Sequence, residues 1–507
     1  MTQEIVRSIA ILGGGTAGWM TAAALARSLN HAVAITLVES EDIGTVGVGE
    51  ATIPSILRFN ELLGLDENEF IRETMGTFKL GIEYVDWPAL GHRYMHGFGR
   101  LRNDVQLAPF EQIWQRLRRA GLAEDLPAYS VTKSAAYAGK FLRPRHDVPD
   151  SPLADIAYAF HFDASLYARY LRGYAERRGV QRIDGMVAAV QRSEPAGDVQ
   201  ALVLADGRRI EADFFVDCSG FRSRIIGQKF GIGFEDWSRW LPCDSAVAVP
   251  SEFTRPLLPY TRATARDAGW QWRIPLQHRM GNGYVYCSRY IDHEDASRTL
   301  LNHLGATALG EPRRLSFKAG VRAKAWVRNC VAVGLSGGFL EPLESTSIHL
   351  IQSAIGKLLT FMPSRTPSEA DIAEYNRLVK HEYEHLRDFI VLHYHATTRR
   401  DTPFWQYCQS MDIPDSLKTK IDLFRQHGRL YEEPNELFAH GNWFQVMHGQ
   451  GLAPSSYHPI VDVIAAEELS AYFKKIRTAV EQCLDYMPTH EEFISKNCRA
   501  PNGLLQA

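Results

Sequence analysis

The sequence predicts an α/β fold: a three-layer nucleotide-binding domain carrying β-sheet and helical elaborations. Three observations carry that prediction. An apolar strand, Ser8-Ile9-Ala10-Ile11-Leu12, runs directly into Gly13-Gly14-Gly15-Thr16-Ala17-Gly18. An Ala-rich helix and a second apolar strand follow, and that strand ends on Glu39. Much later the chain returns to the same pattern, at Phe214 to Gly220 and again at Cys330 to Gly338.

The elements follow in order. Ser8 to Leu12 is apolar throughout and reads as a strand buried on both faces, as in a parallel sheet. Gly13 permits the tight turn, Gly15 lets backbone approach a pyrophosphate, and Gly18 lets helix and strand pack closely. Thr16 and Ala17 lie between them, where helix-start amides face the phosphates. The helix runs from Trp19 to about Ser28, the second strand from Ala34 to Val38, and Glu39 can accept from a ribose hydroxyl. The competing reading is a glycine-rich turn without a ligand. Strands meeting small-residue turns at Phe214-Phe215-Val216-Asp217-Cys218-Ser219-Gly220 and at Cys330-Val331-Ala332-Val333-Gly334-Leu335-Ser336-Gly337-Gly338 favour FAD over NAD, because a nucleotide domain completed this late is usual where a substrate region is inserted. No second GxGxxG occurs. No separate NAD(P)H domain is therefore expected, and reduced flavin is expected from another protein.

Composition bounds the rest. With 507 residues, 45% hydrophobic and 23% charged, the chain has the make-up of a globular protein of two or three domains, or one elaborated one. A formal charge of −3 gives no basic surface for nucleic acid or membrane. The 7 cysteines are odd in number and form no CxxC, against a disulfide framework or zinc ribbon. No apolar run has transmembrane length and no signal segment opens the chain, so the expected setting is reduced and cytoplasmic.

Trp270-Gln271-Trp272-Arg273-Ile274-Pro275 spaces two indoles for one face of a strand, with Gln271 and Arg273 on the other. Core packing explains this as readily as function does. Lys79, in Thr77-Phe78-Lys79-Leu80-Gly81-Ile82, reads locally as a surface lysine whose stem snorkels over apolar neighbours. Glu344 follows Pro342 ahead of an apolar helical run, where an acid favours the dipole. His381-Glu382-Tyr383-Glu384-His385 is a literal HExxH, yet its flanks are charged and no third ligand stands at metzincin spacing. No metal is expected.

Taken together, these blocks resemble the flavin-dependent tryptophan halogenases, relatives of the single-component flavin monooxygenases. The likeness runs from Ile9 to about Pro459. It rests on the glycine fingerprint, on Val46-Gly47-Val48-Gly49-Glu50-Ala51-Thr52-Ile53-Pro54 as a flavin-covering strap, on Phe78-Lys79-Leu80-Gly81, on the WxWxIP block, and on Phe339-Leu340-Glu341-Pro342-Leu343-Glu344-Ser345-Thr346. The resemblance implies FAD, supplied as FADH2 by a separate flavin reductase and held by Gly13, Gly15, Thr16, Ala17, Gly18, Glu39, Gly49, Glu50, Ala51 and Leu335. It implies that Trp270, Trp272 and Pro275 partition flavin from substrate. Chloride or bromide, held by the amides of Thr346 and Ser347, becomes hypohalous acid and passes down a tunnel to Lys79. Lys79 then either hydrogen-bonds that acid or forms a haloamine. Glu344 takes the ring proton, and His96 and Phe98 sandwich the aromatic substrate; their bland alternative is a loop histidine and a core phenylalanine.

At two places the chain departs from the family. Ser347 stands where glycine is common, which leaves the preferred halide open. Arg429-Leu430-Tyr431-Glu432-Glu433-Pro434-Asn435-Glu436-Leu437-Phe438 lacks the paired tyrosines and the Phe-Trp pair that close over an amino acid. The expected substrate is therefore indole or another electron-rich aromatic rather than free tryptophan. The expected architecture is a discontinuous FAD domain interleaved with a substrate-region sheet over 1–352, then a mostly helical part over 353–507; a homodimer is implied by resemblance alone. An aromatic hydroxylase and a non-catalytic flavin-binding protein are the alternatives.

Overall fold

The computed structural model describes residues 6–41, 49–99, 101, 105, 108–194, 197–501 and 503. The chain forms two compact units. The first comprises Met1–Gly76, Phe162–Ser238 and Phe317–Glu384; the second comprises Thr77–His161, Arg239–Ser316 and His385–Ala507.

The first unit is built on a six-stranded sheet. Its strands run in the order Trp326–Val327, Cys330–Ala332, Phe214–Asp217, Ser8–Leu12, Ala34–Glu39 and Gln181–Asp184. All pairings are parallel except the edge hairpin of Trp326–Val327 with Cys330–Ala332. The central strands Cys330–Ala332, Phe214–Asp217 and Ser8–Leu12 are largely apolar and buried, as the sequence predicts, whereas the edge strand Gln181–Asp184 is polar and partly exposed. Ala10, Leu12, Val38, Phe215, Cys330 and Ala332 share one cluster with Val187, Val190, Val199, Leu202 and Leu204 of a three-stranded antiparallel meander. The helices Thr16–Leu29, Ala164–Glu176 and Ser347–Thr360 pack together as a third layer. These are the meander, sheet and helix layers of the three-layer fold.

The second unit is organised by a seven-stranded sheet in the order Arg313–Ser316, Ser245–Ser251, Met280–Tyr286, Gly269–Pro275, Thr261–Arg266, Gly81–Val85 and Arg93–Gly97. One pairing, Thr261–Arg266 with Gly81–Val85, is parallel. Helix His293–Asn302 covers one face through Ala296 and Leu300, joined by Leu304 just beyond its end, against Val247, Val249, Tyr284 and Tyr286. Among the described residues, every named element after Ser353 is helical. No helix there is long and apolar enough to cross a membrane. All seven cysteines are buried and none forms a disulfide.

Candidate functional site

The glycine turn of the first unit satisfies the demands of a nucleotide-phosphate site. Gly13 has φ +118°, and a Cβ there would lie 2.3 Å from the Cys218 carbonyl oxygen. A Cβ on Gly18 would lie 1.8 Å from the Gly13 carbonyl oxygen, so no other residue lets the helix start this close to the strand. At Gly15 a Cβ would meet nothing within 4 Å, leaving an open approach to the backbone. The helix begins at Thr16, with Gly15 as its uncapped N-cap, so its first amides are not taken by a side chain. Glu39 uses Oε1 to accept from Arg182 at 2.6 Å, while Oε2 lies beside Gly14. These residues fit a dinucleotide.

Of the strap, Val46, Gly47 and Val48 lie outside the described residues. Gly49–Ala51 forms a short strand. Burial pushes the Glu50 carboxyl up to about 7, and Asp163 adds to the shift. The second strand-and-turn places Leu335 half-exposed beside Gly334, which has φ +72° and packs on Ala17. Asp217, in the other late turn, is structural. Its carboxylate accepts from the backbone of Ser219, Ile225 and Ile226, closing the strand end onto the next helical turn.

Glu344 closes the short helix Pro342–Glu344 and is fully buried, though not without a partner. Ser345 adopts φ +58°, an unfavourable conformation for a residue with a Cβ, and turns the chain into helix Ser347–Thr360. Thr346 is that helix's N-cap yet makes no side-chain cap bond; its buried Oγ1 has no hydrogen-bond partner among the described residues. An orphaned hydroxyl beside the helix-start amides of Thr346 and Ser347 is a donor set suited to a small anion.

In the second unit, the local reading of Lys79 is corrected: the side chain is fully buried, with Nζ 5.2 Å from the centre of the Phe98 ring. The reason is the strand around it. Thr77–Lys79 pairs antiparallel with Ala159, Phe160 and His161. The Thr77 hydroxyl donates to the Pro275 carbonyl at 2.7 Å, so WxWxIP is bonded to the lysine's own strand. Having spent its proton there, Thr77 Oγ1 accepts from His161 Nδ1 at 3.0 Å, and His161 Nε2 accepts from Thr261 at 2.9 Å. His161 is thereby fixed as a neutral ring; burial first, then the Lys79 charge, holds its pKa far below the ordinary value. Phe78 N–H donates to His490 Nε2 at 3.1 Å, and His490 Nδ1 donates to the Leu257 carbonyl at 3.0 Å.

Trp270 and Trp272 lie on strand Gly269–Pro275, both buried, with ring centres 6.2 Å apart. The Trp272 indole crosses Gly283 on the paired strand so closely that a Cβ there would sit 2.0 Å from the ring. Trp270 continues to Trp87 at 6.4 Å. Gln271 accepts from Arg266 and so lies with the polar neighbours of the other face.

His96 lies on strand Arg93–Gly97, not in a loop, and both it and Phe98 are buried, the phenylalanine as a core residue would be. His96 Nε2 meets Asn442 Oδ1 at 3.0 Å, and its ring lies 5.7 Å from Phe389 and 6.0 Å from Phe438. Phe389 stacks on Phe438 at 4.0 Å and meets Trp443 edge-on at 4.8 Å. The wall beside His96 is therefore aromatic.

Several residues escape sequence reasoning. Glu382, which a zincin would keep free as a base, accepts from His349 at 3.0 Å, Ser353 at 2.8 Å and Lys357 at 2.8 Å. Burial would raise it, but His349 and Lys357 hold it at about 2. His385 bonds Glu433 at 3.1 Å, a partner no spacing rule reveals. Burial pulls Lys133, whose stem lies against Gly97, down to about 7.

The tryptophan halogenase family model matches residues 8–466. A tryptophan 6-halogenase of Streptomyces toxytricini is 36% identical over 96% of this chain and 97% of its own. The solved structure of a flavin-dependent halogenase from Xanthomonas campestris is 50% identical with TM-score 0.95, covering 98% of this chain and 99% of that one. A second, from Brevundimonas sp. BAL3, is 44% identical with TM-score 0.93 over 97% and 99%. With nearly the whole chain covered by each, this protein belongs to the tryptophan halogenase family of flavin-dependent enzymes.

Proposed function

We propose that the chain is a two-component halogenase that oxidises chloride or bromide and transfers the halogen to indole or another small electron-rich aromatic. Bound FADH2, delivered by a separate reductase, would activate O2, and O2 would be the oxidant that converts halide to hypohalous acid. The glycine turn from Gly13 to Gly18, with Thr16 and Ala17, would hold the pyrophosphate and Glu39 the ribose. Gly49, Glu50, Ala51 and Leu335 would flank the ring system. The amides of Thr346 and Ser347, with the orphaned Thr346 hydroxyl, would bind the halide. Trp270, Trp272 and Pro275 form the partition, and passage of the acid to Lys79 through a tunnel is part of this reading.

At the reacting end, Lys79 donates a hydrogen bond to the hypohalous oxygen and makes it a better leaving group. The C–X bond forms as the O–X bond breaks, and the departing hydroxide takes the Lys79 proton and leaves as water; the proton that Glu344 collects from the ring restores the balance through solvent. Glu344 accepts the ring proton from the cationic intermediate and stabilises that cation while it exists. His96 and Phe98 fix which ring carbon is presented.

The observation that carries the proposal is the burial of Lys79 on a strand hydrogen-bonded to the WxWxIP block through Thr77 and Pro275. A surface lysine has no need of that anchorage. The test supplies reduced FAD, oxygen and bromide with a panel of aromatics, read by mass spectrometry, with halide omitted in a parallel arm. Brominated indole that disappears without halide is the expected result. Hydroxylated product in the halide-free arm would make the enzyme a hydroxylase, and no product in either arm would leave a flavin-binding protein.

A further inference from the structure

Behind the aromatic wall beside His96 lies a buried ion pair that neither the flavin site nor the lysine site uses. Lys420 Nζ donates to Glu436 Oε1 at 2.7 Å, with side chains only 5% and 2% exposed. The same oxygen accepts from Trp443 Nε1 at 2.8 Å, and Oε2 accepts from the Glu433 backbone at 3.0 Å. The carboxylate is thus committed at both oxygens. The ammonium sits over two aromatic faces, 4.2 Å from the Trp443 ring centre and 5.1 Å from that of Tyr431. A carboxylate flanked by two aromatic faces is a site for an alkylammonium group. Here the alkylammonium is part of the chain.

We propose that Lys420 sets the charge of the substrate, filling from within the chain the place that a substrate's ammonium would otherwise take. The inference rests on the reading of the His96 wall as the substrate site. Trp443 joins the two, meeting Phe389 of that wall nearly at right angles and Lys420 with its face. The Lys420–Glu436 pair is neutral as a unit, so it offers no reward to a charged ligand, and an incoming ammonium meets an ammonium already in place. The substrate class that follows is an aromatic without an amino group, such as indole, in preference to an indolyl-alkylamine such as tryptamine. Removing the lysine reverses the preference, because Glu436 is left buried, ionic and lacking its cation.

Steady-state bromination of indole and tryptamine is compared in the wild type, in Lys420→Ala, and in the double variant Lys420→Met with Glu436→Gln. In the wild type kcat/KM favours indole. Lys420→Ala raises the tryptamine-to-indole ratio by about tenfold or more, the size of one charge-assisted hydrogen bond. The double variant, which removes the charge but keeps the volume, returns to the wild-type ratio. Should Lys420→Ala not fold by itself, ethylammonium chloride in the growth and purification buffers restores soluble protein, whereas sodium chloride does not. A wild type that favours tryptamine overturns the proposal. So does an unchanged ratio in Lys420→Ala, a raised ratio in the double variant, or no rescue by ethylammonium. A wild type that brominates neither compound instead refutes the halogenase reading itself.

Discussion

His490 holds the strand of Lys79, and replacing it tests how the lysine is positioned. In His490→Ala, the Phe78 N–H loses its acceptor and the Leu257 carbonyl loses its donor. Each buried backbone group left unsatisfied costs about 1–3 kcal/mol. The loss is therefore roughly 2–6 kcal/mol, before the void left beside Phe78 and Phe141 is counted. The ring also titrates. Burial, opposed by the bond to Leu257, brings its pKa from 6.5 down to about 4. A depressed histidine contributes stability that is complete above the ordinary value and lost as pH falls through the folded one. The window is therefore pH 6.5 down to about 4, and the gap corresponds to at most about 3 kcal/mol. His161 acts in the same direction. Bromoindole formation and FADH2 oxidation are followed separately, beside urea melts across that window. His490→Ala loses roughly ten- to a hundredfold in product, the cost of a small misplacement, while FADH2 oxidation continues. His490→Gln offers an acceptor and a donor without titrating; it recovers most of the activity and flattens the acid limb of stability. Full product formation by His490→Ala, with the acid limb unchanged, would refute the reasoning.

Other expectations are as direct. Lys79→Ala abolishes brominated product while FADH2 is still consumed; retained product would overturn the role of the amine. Gly283→Val, whose Cβ would lie 2.0 Å from the Trp272 indole, displaces the partition and is read as a fall in product per FADH2 oxidised. Glu50→Gln removes a carboxyl whose pKa is raised from 4.5 to about 7, a group that costs stability as pH rises through that interval. The apoprotein variant therefore melts higher than wild type at pH 8 and equally at pH 4, by about 1–3 kcal/mol. Glu382→Gln breaks a buried network with His349 and Lys357 and costs about 3–5 kcal/mol, measured by urea melts. Metal analysis of the purified wild type finds no stoichiometric zinc, and one equivalent per chain would restore the HExxH reading.

What was legible in the sequence is what local chemistry decides. Gly13 and Gly18 are demanded by a positive φ and by a carbonyl that leaves no room for a Cβ, and both constraints act within a few residues of the glycine. The strands at Ser8, Ala34, Phe214 and Cys330 announce themselves because burial on two faces keeps their centres apolar, with polar residues only at their ends and at Thr36. The helix starts at Thr16, three residues before the expected Trp19, because Gly15 takes the N-cap position with no side-chain cap to mark it. Lys79 was misread locally for a different reason. A lysine among Phe78 and Leu80 has the same neighbours in sequence whether it snorkels or is buried, and the difference lies in His161, Pro275 and His490, all remote in the chain.

The same distinction explains the two charged motifs. HExxH is a spacing, and spacing fixes only that two histidines share a helical face. Whether the intervening glutamate is free to act depends on what else reaches it, and here His349 and Lys357 arrive from a different helix. Lys420 and Glu436 present the converse case. Neither carries a motif, and each alone reads as a solvated charge, yet the fold buries them against each other beside Trp443. A buried pair is poor evidence for stability, since an apolar replacement of equal volume often serves as well. Its presence at the aromatic wall therefore asks for a reason other than stability. Substrate charge is a reason that kinetics can test, because Glu436 behaves differently towards an amine only while its internal cation is absent.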